Sequence, residues 1–292
     1  MGRSVAVQAW PGRGEVMLDR RDMMLGGGAL IAGMGLSAPA WGAAFASRRI
    51  AVSVRGAGRD VLLIPGLASG PGIWNNVVAG VPGYRWHLVH VKGFAGLPPE
   101  ANASGPLVQP LADEIGRYVR EAKLRRPAVV GHSMGGTLAL MTGLSGAAGR
   151  VMMVDMLPAG AGMVGGTARG MGYLADQMSQ YFTGTKAGRA YLAQIVAQAP
   201  GAKGSDPDVI ANALRDLAAI DLEGRLASLG IPLEVIYAIG SDAAQAKAIS
   251  QRFRTAFAGK KDARLLAIGP SGHVVMNDQP ARFASALSAF LK

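Results

Sequence analysis

Short apolar runs recur along the chain at intervals that leave room for a helix between them. They read RIAVSVRG (49–56), DVLLIPG (60–66), YRWHLVHV (84–91), PAVVGHS (127–133), RVMMVDM (150–156), PLEVIYAIG (232–240) and ARLLAIG (263–269). The first alternates like a half-exposed strand, while the later ones are apolar enough to be buried on both faces. Between them, residues 110–123 place Leu111, Ile115, Tyr118 and Val119 on one side of a helix. Residues 280–292 do the same with Phe283, Leu287, Phe290 and Leu291. Strands alternating with helices predict an α/β fold, a mainly parallel sheet flanked by helices. One stretch breaks the alternation. Residues 157–225 contain no good strand but three helical patches, MGYLADQMSQYF, RAYLAQIVAQA and DVIANALRDLAAI. They are expected to form a helical cap inserted before the penultimate strand. The core is then 47–156 and 226–292, with the cap over the carboxyl ends of the strands, where open sheets place their sites.

Composition removes several classes of function. Half of the 292 residues are hydrophobic, so a large core needs no covalent staples. With no cysteine there are no disulfides, thiolate metal sites or cysteine nucleophiles. Four scattered histidines are too few for a metal cluster, and neither metal nor cofactor is expected. His87 and His90 flank a strand and are read as structural. The net charge of +11 invites a nucleic-acid reading, but the basic residues are dispersed and no binding motif accompanies them. The densest group, Arg117 to Arg126, lies on one amphipathic helix and the turn after it, as a solvated face would. No nucleic-acid partner is expected. Membrane contact is expected only through weak surface charge or an uncleaved leader.

Residues 1–46 read as an export signal rather than as fold. Arg20-Arg21, followed by Asp22, Met23 and Met24, resembles the twin-arginine pattern of bacterial export signals. An uncharged, glycine-rich segment follows and ends in small residues, too weakly apolar for a retained span. Ala38-Pro39-Ala40 and Ala44-Phe45-Ala46 are both Ala-x-Ala cleavage candidates. The exported protein is expected in the periplasm with a new start near Trp41 or Ser47. A start at Met17 would give a more compact leader, with 1–16 then an over-extended start.

The candidate chemistry centres on VVGHSMGGTLAL. Gly-x-Ser-x-Gly is weak evidence in a chain with 42 glycines, so its context decides. Here a β-branched run precedes Ser133 and a helix-competent segment follows it, the strand–turn–helix setting of a nucleophile elbow. Gly131, Gly135 and Gly136 let strand and helix backbones approach where side chains would collide. A serine nucleophile needs a base, a group to orient that base, and donors for an oxyanion. His273 is the only histidine after Ser133 and sits in GPSGHVVMNDQP, between the last strand and the final helix. His132 is beside the serine, but neighbouring side chains diverge at such a turn, so it is read as packing beneath the elbow. For the orienting acid, Asp242 follows the penultimate strand and is preferred; Asp155, one strand earlier, is the alternative. Oxyanion donors are expected from the backbone N–H groups of Met134 and Leu67.

Taken in order, LLIPGLASGPGIW, VKGFAG, VVGHSMGG, VMMVDMLP and GPSGHVVMNDQP resemble the α/β-hydrolase superfamily over residues 50–292. Pro65 stands where many relatives carry histidine, and Lys92 where they often carry an acid. The resemblance implies a serine hydrolase that cleaves a carboxylic ester or lactone through an acyl-Ser133 intermediate. The alternatives are the same triad acting on an amide, a carbon–carbon bond or a peracid, and a non-catalytic ligand-binding homologue. Ser133 at the elbow argues against dehalogenases and epoxide hydrolases of this fold, which use aspartate there. The expected partner is a small ester-type substrate.

Overall fold

Two-residue alternation along each strand sorts the apolar side chains onto the two faces of a single sheet. In the computed structural model, which describes residues 45–160, 185, 187, 188, 194 and 202–292, each of the seven runs is a strand. They are β1 (Ile50–Gly56), β2 (Arg59–Ile64), β3 (Tyr84–Val91), β4 (Ala128–His132), β5 (Arg150–Val154), β6 (Leu233–Ala238) and β7 (Arg264–Ile268). Their order across the sheet is β1-β3-β2-β4-β5-β6-β7, and every pairing is parallel except β1 with β3. This is the α/β-hydrolase fold.

Leu62, Val129, Val151, Met153 and Val235 point to one face. There they meet Leu111, Ile115 and Val119 of α2 (Val108–Glu121) and Leu138 and Met141 of α3 (Met134–Leu144). Leu63, Val130, Met152, Val154 and Ile236 point to the other face. They pack on Val77 of α1 (Asn75–Gly80) and on Phe283, Leu287 and Phe290 of the C-terminal helix (Pro280–Leu291). The central strands are buried on both sides, which is why they read as unbroken apolar runs.

Within the expected cap, one patch is described. It forms α4 (Pro207–Ala219), which starts where Asp206 accepts the N–H groups of Asp208 and Val209 and Pro207 occupies the first turn. The patches at 171–182 and 189–199 lie outside the described residues, as does the expected export signal before Phe45. By its internal contacts the chain divides after Ala43, and the described residues belong to the second unit. Phe45 and Ala46, expected within the leader, pack on α2. The Arg117 guanidinium lies 4.2 Å from the Phe45 ring centroid and donates to the Ala46 carbonyl at 2.7 Å.

His87 has the structural role expected of it. Its ring is buried between the Tyr118 hydroxyl (2.6 Å) and Asp60 (2.9 Å), and burial lowers its pKa. Of the basic helix face, Arg117 is paired with both Glu114 and Glu121 at 2.7 Å. No helix among the described residues is long and apolar enough to cross a membrane.

Candidate active site

The order of strands reverses between β2 and β4, since the chain runs from β2 outward to β3 and then returns to β4. Loops leaving the carboxyl ends of these neighbours diverge and open a crevice. Ser133 stands there, directly after β4. Its backbone is in a strained left-handed conformation, φ 54° and ψ −124°, which costs a non-glycine residue about 1–3 kcal/mol. Neighbouring glycines allow it. A Cβ on Gly131 would sit 1.8 Å from the Gly135 carbonyl oxygen, and one on Gly135 would sit 2.3 Å from that of Ile64. The helix therefore starts against the sheet, and Ser133 is pushed out at the corner. Its N–H donates to Val154 at 2.9 Å, and its hydroxyl does not cap α3.

Asp155 follows β5, also with positive φ (51°). Its N–H donates to the Ile236 carbonyl at 2.7 Å, and its Oδ1 accepts the Ala238 N–H at 2.9 Å. With one oxygen fixed by β6, the other meets His273 Nδ1 at 2.7 Å. A carboxylate can only accept, so Nδ1 carries the proton, and in the neutral ring the lone pair is then on Nε2. Asp155 is nearly buried, whereas the His273 side chain is 46% exposed, so the pair opens to solvent on the histidine side.

Asp242, the preferred partner in the sequence, is not in this arrangement. It is exposed at the start of α5 (Ala243–Ala256), where its carboxylate caps the helix by accepting the Gln245 N–H at 2.7 Å. Asp155 directly follows β5, whereas Asp242 lies four residues past the end of β6. Only the one after β5 lies within reach of the histidine loop.

His132 does pack beneath the elbow, and its role is more specific than filling. It is buried, and its Nε2–H donates to the His273 carbonyl at 2.8 Å, with the two ring centroids 4.6 Å apart. Its Nδ1 lone pair has no partner among the described residues and faces Gly66. Burial, reinforced by the nearby His273, lowers the His132 pKa to about 4, so the ring is neutral near pH 7. From below, the histidine loop is braced by Asp278, which accepts the Gly272 N–H at 2.8 Å.

The two expected oxyanion donors belong to segments that meet at Ser133. Met134 is the first residue of α3, and the first N–H groups of a helix have no acceptor within it. Leu67 lies in the turn after β2, closed by the Ser69 N–H on the Gly66 carbonyl at 3.1 Å. That turn abuts the elbow, since a Cβ on Gly66 would come within 3.1 Å of Ser133 Cβ. Pro65, a departure from related sequences, precedes this turn. Lys92, the other departure, pairs with Glu100. Among the described residues, no group of three or more His, Asp or Glu side chains could hold a metal ion.

Known structures share this architecture. MenH from S. aureus superposes with a TM-score of 0.66 at 14% identity, over 82% of this chain and 97% of its own. An esterase from Exiguobacterium antarcticum gives 0.65 at 16%, over 83% and 95%. The enol-lactonase from Burkholderia xenovorans LB400 gives 0.58 at 17%, over 83% and 96%. Likeness at such identities speaks for the fold alone. No curated protein matches in sequence. The sequence profile of the Alpha/beta hydrolase family, however, matches residues 61–286. Sheet order and family profile agree, and the chain belongs to the α/β hydrolase family.

Proposed function

We propose that the protein is a serine hydrolase of carboxylic esters or lactones, with Ser133 as nucleophile, His273 as base and Asp155 as the orienting acid. The observation that carries this reading is the 2.7 Å contact between Asp155 and His273 Nδ1. It leaves Nε2 as the proton acceptor, in a crevice where Ser133 is presented on a strained turn. Nε2 takes the Oγ proton as Oγ attacks the substrate carbonyl. The resulting oxyanion is bound by the N–H groups of Leu67 and Met134. The imidazolium then gives its proton to the departing alkoxide, and acyl-Ser133 remains. Water, deprotonated by the same Nε2, attacks the acyl carbon; Oγ departs and regains its proton, and the carboxylic acid is released. For a lactone, alcohol and acid leave as one hydroxy acid. Among similar folds, one solved structure is described as an esterase and another as an enol-lactonase, which fits this choice of bond.

An activated serine reacts with fluorophosphonates. A probe of this kind should label the protein at Ser133, and Ser133→Ala should abolish both labelling and turnover of p-nitrophenyl acetate. Undiminished turnover in that variant rules the mechanism out.

The enzyme is also proposed to act outside the cytoplasm, on the strength of Arg20-Arg21 and the small-residue segment after it. Replacing both arginines with lysine should hold the protein in the cytoplasmic fraction. An unchanged distribution between fractions would refute export by this route.

A further inference from the structure

Leu67 is useful as an oxyanion donor only while its turn holds one shape, and that shape is strained. Ala68 occupies the third position of the Gly66–Ser69 turn with φ at 58°, where glycine is the ordinary choice. A Cβ in this region costs about 1–2 kcal/mol. Relaxing Ala68 to negative φ would turn the Ala68–Ser69 peptide, break the Ser69 N–H bond to the Gly66 carbonyl and free the Gly66–Leu67 peptide, which carries the Leu67 N–H.

One side chain from a distant part of the chain opposes that relaxation. Ser205 lies within the insertion, two residues before α4. Its hydroxyl donates to the Ala68 carbonyl at 2.7 Å and accepts the Ala95 N–H at 2.8 Å. The position of Ser205 is itself fixed from both sides. The Gly96 N–H donates to the Gly204 carbonyl at 3.2 Å, and the Asp206 N–H donates to the Gly93 carbonyl at 2.7 Å. Behind them, Val209 fills the space beside Gly93, where a Cβ would come within 2.6 Å of it. Ala68 is 2% exposed, so its carbonyl has little access to water as a substitute donor.

We propose that Ser205 is a positioning residue for the oxyanion turn. It ties the seating of the inserted segment to the alignment of the Leu67 N–H, so that transition-state stabilisation depends on a residue that does not touch substrate. The proposal rests on the serine-hydrolase reading above.

The test uses the full chain with Ser205→Ala and Ser205→Thr, the second of which keeps the hydroxyl. Loss of a whole oxyanion donor costs about 10²–10³ in kcat, and a misaligned one should cost about tenfold. Ser205→Ala should therefore lower kcat on p-nitrophenyl acetate about tenfold while KM stays within about twofold. Inhibition by phenylboronic acid, whose tetrahedral adduct uses the oxyanion donors, should weaken by about the same factor. Ser205→Thr should restore both. An unchanged kcat in Ser205→Ala, a loss confined to KM, or a threonine variant no better than alanine overturns the proposal. Failure of the underlying reading has a different signature. In that case the wild-type protein resists phenylboronic acid and Ser133→Ala retains turnover, whatever Ser205 does.

Discussion

Asp155 and Asp242 follow adjacent parallel strands of the same sheet, one directly and the other four residues on, and their surroundings could hardly differ more. Asp155 is nearly buried, held in a left-handed backbone conformation, and anchored by the Ala238 N–H while its free oxygen meets His273. Asp242 is exposed and has the extended backbone of an ordinary helix cap, occupied with Gln245. A strained, buried acid aimed at an imidazole serves a site, whereas an exposed cap serves its own helix. Strand-end position is thus a poor guide to which acid a histidine uses. The geometry of the next strand decides it.

The comparison is broken or upheld most sharply by charge removal. Asp155→Asn should lower kcat about 10³–10⁴-fold, because the amide no longer stabilises the imidazolium or fixes its tautomer. Asp242→Asn should stay within about twofold. Steady-state rates on one short-chain ester read both, and the opposite ranking would return the role to Asp242.

A smaller effect sharpens the contrast from the far side of His273. His132 is neutral in the fold, with a pKa lowered to about 4 against about 6.5 unfolded. The unfolded chain binds the extra proton between these values, so the stability due to neutral His132 is complete above about pH 6.5. It is lost as pH falls towards about 4, and it amounts to roughly 3 kcal/mol at full shift. His87 and His90, also lowered by burial, add their own slope. Denaturant melts at pH 7 and pH 4.5 should show His132→Gln losing less stability than wild type on acidification. An equal loss would mean that His132 takes up its proton without unfolding anything.

Smallest of all, Asp242→Ala removes only the cap. It should cost about 1 kcal/mol, a fall of about 2–4 °C in Tm, with kcat unchanged. Loss of activity without loss of Tm would contradict the capping role.

The sheet was legible because each strand carries its own apolar run, and burial on both faces leaves that mark in the residues themselves. α5 was not: Phe253 is its one buried residue, so its solvent-facing sequence has little apolar period to read. In the site, the elbow announced itself through glycines forced by backbone contact, and His273 through its solitude. Asp155 could be named only as an alternative, because what selects it is the Ala238 N–H, 83 residues away in sequence. Ser205 gave no sign at all. A lone serine before a helix looks like many others until the chain folds it onto Ala68.

The close crossing at the elbow also separates two kinds of information that share one motif. Gly131 and Gly135 are required by the contact of helix with sheet, at 1.8 Å and 2.3 Å for an added Cβ, whether or not any bond is ever cleaved. A descendant that abandoned hydrolysis and kept the fold as a receptor would have to retain those glycines. It would be free to change Ser133, Asp155 and His273. The glycines of such a motif therefore testify to architecture, and only the three polar side chains testify to chemistry.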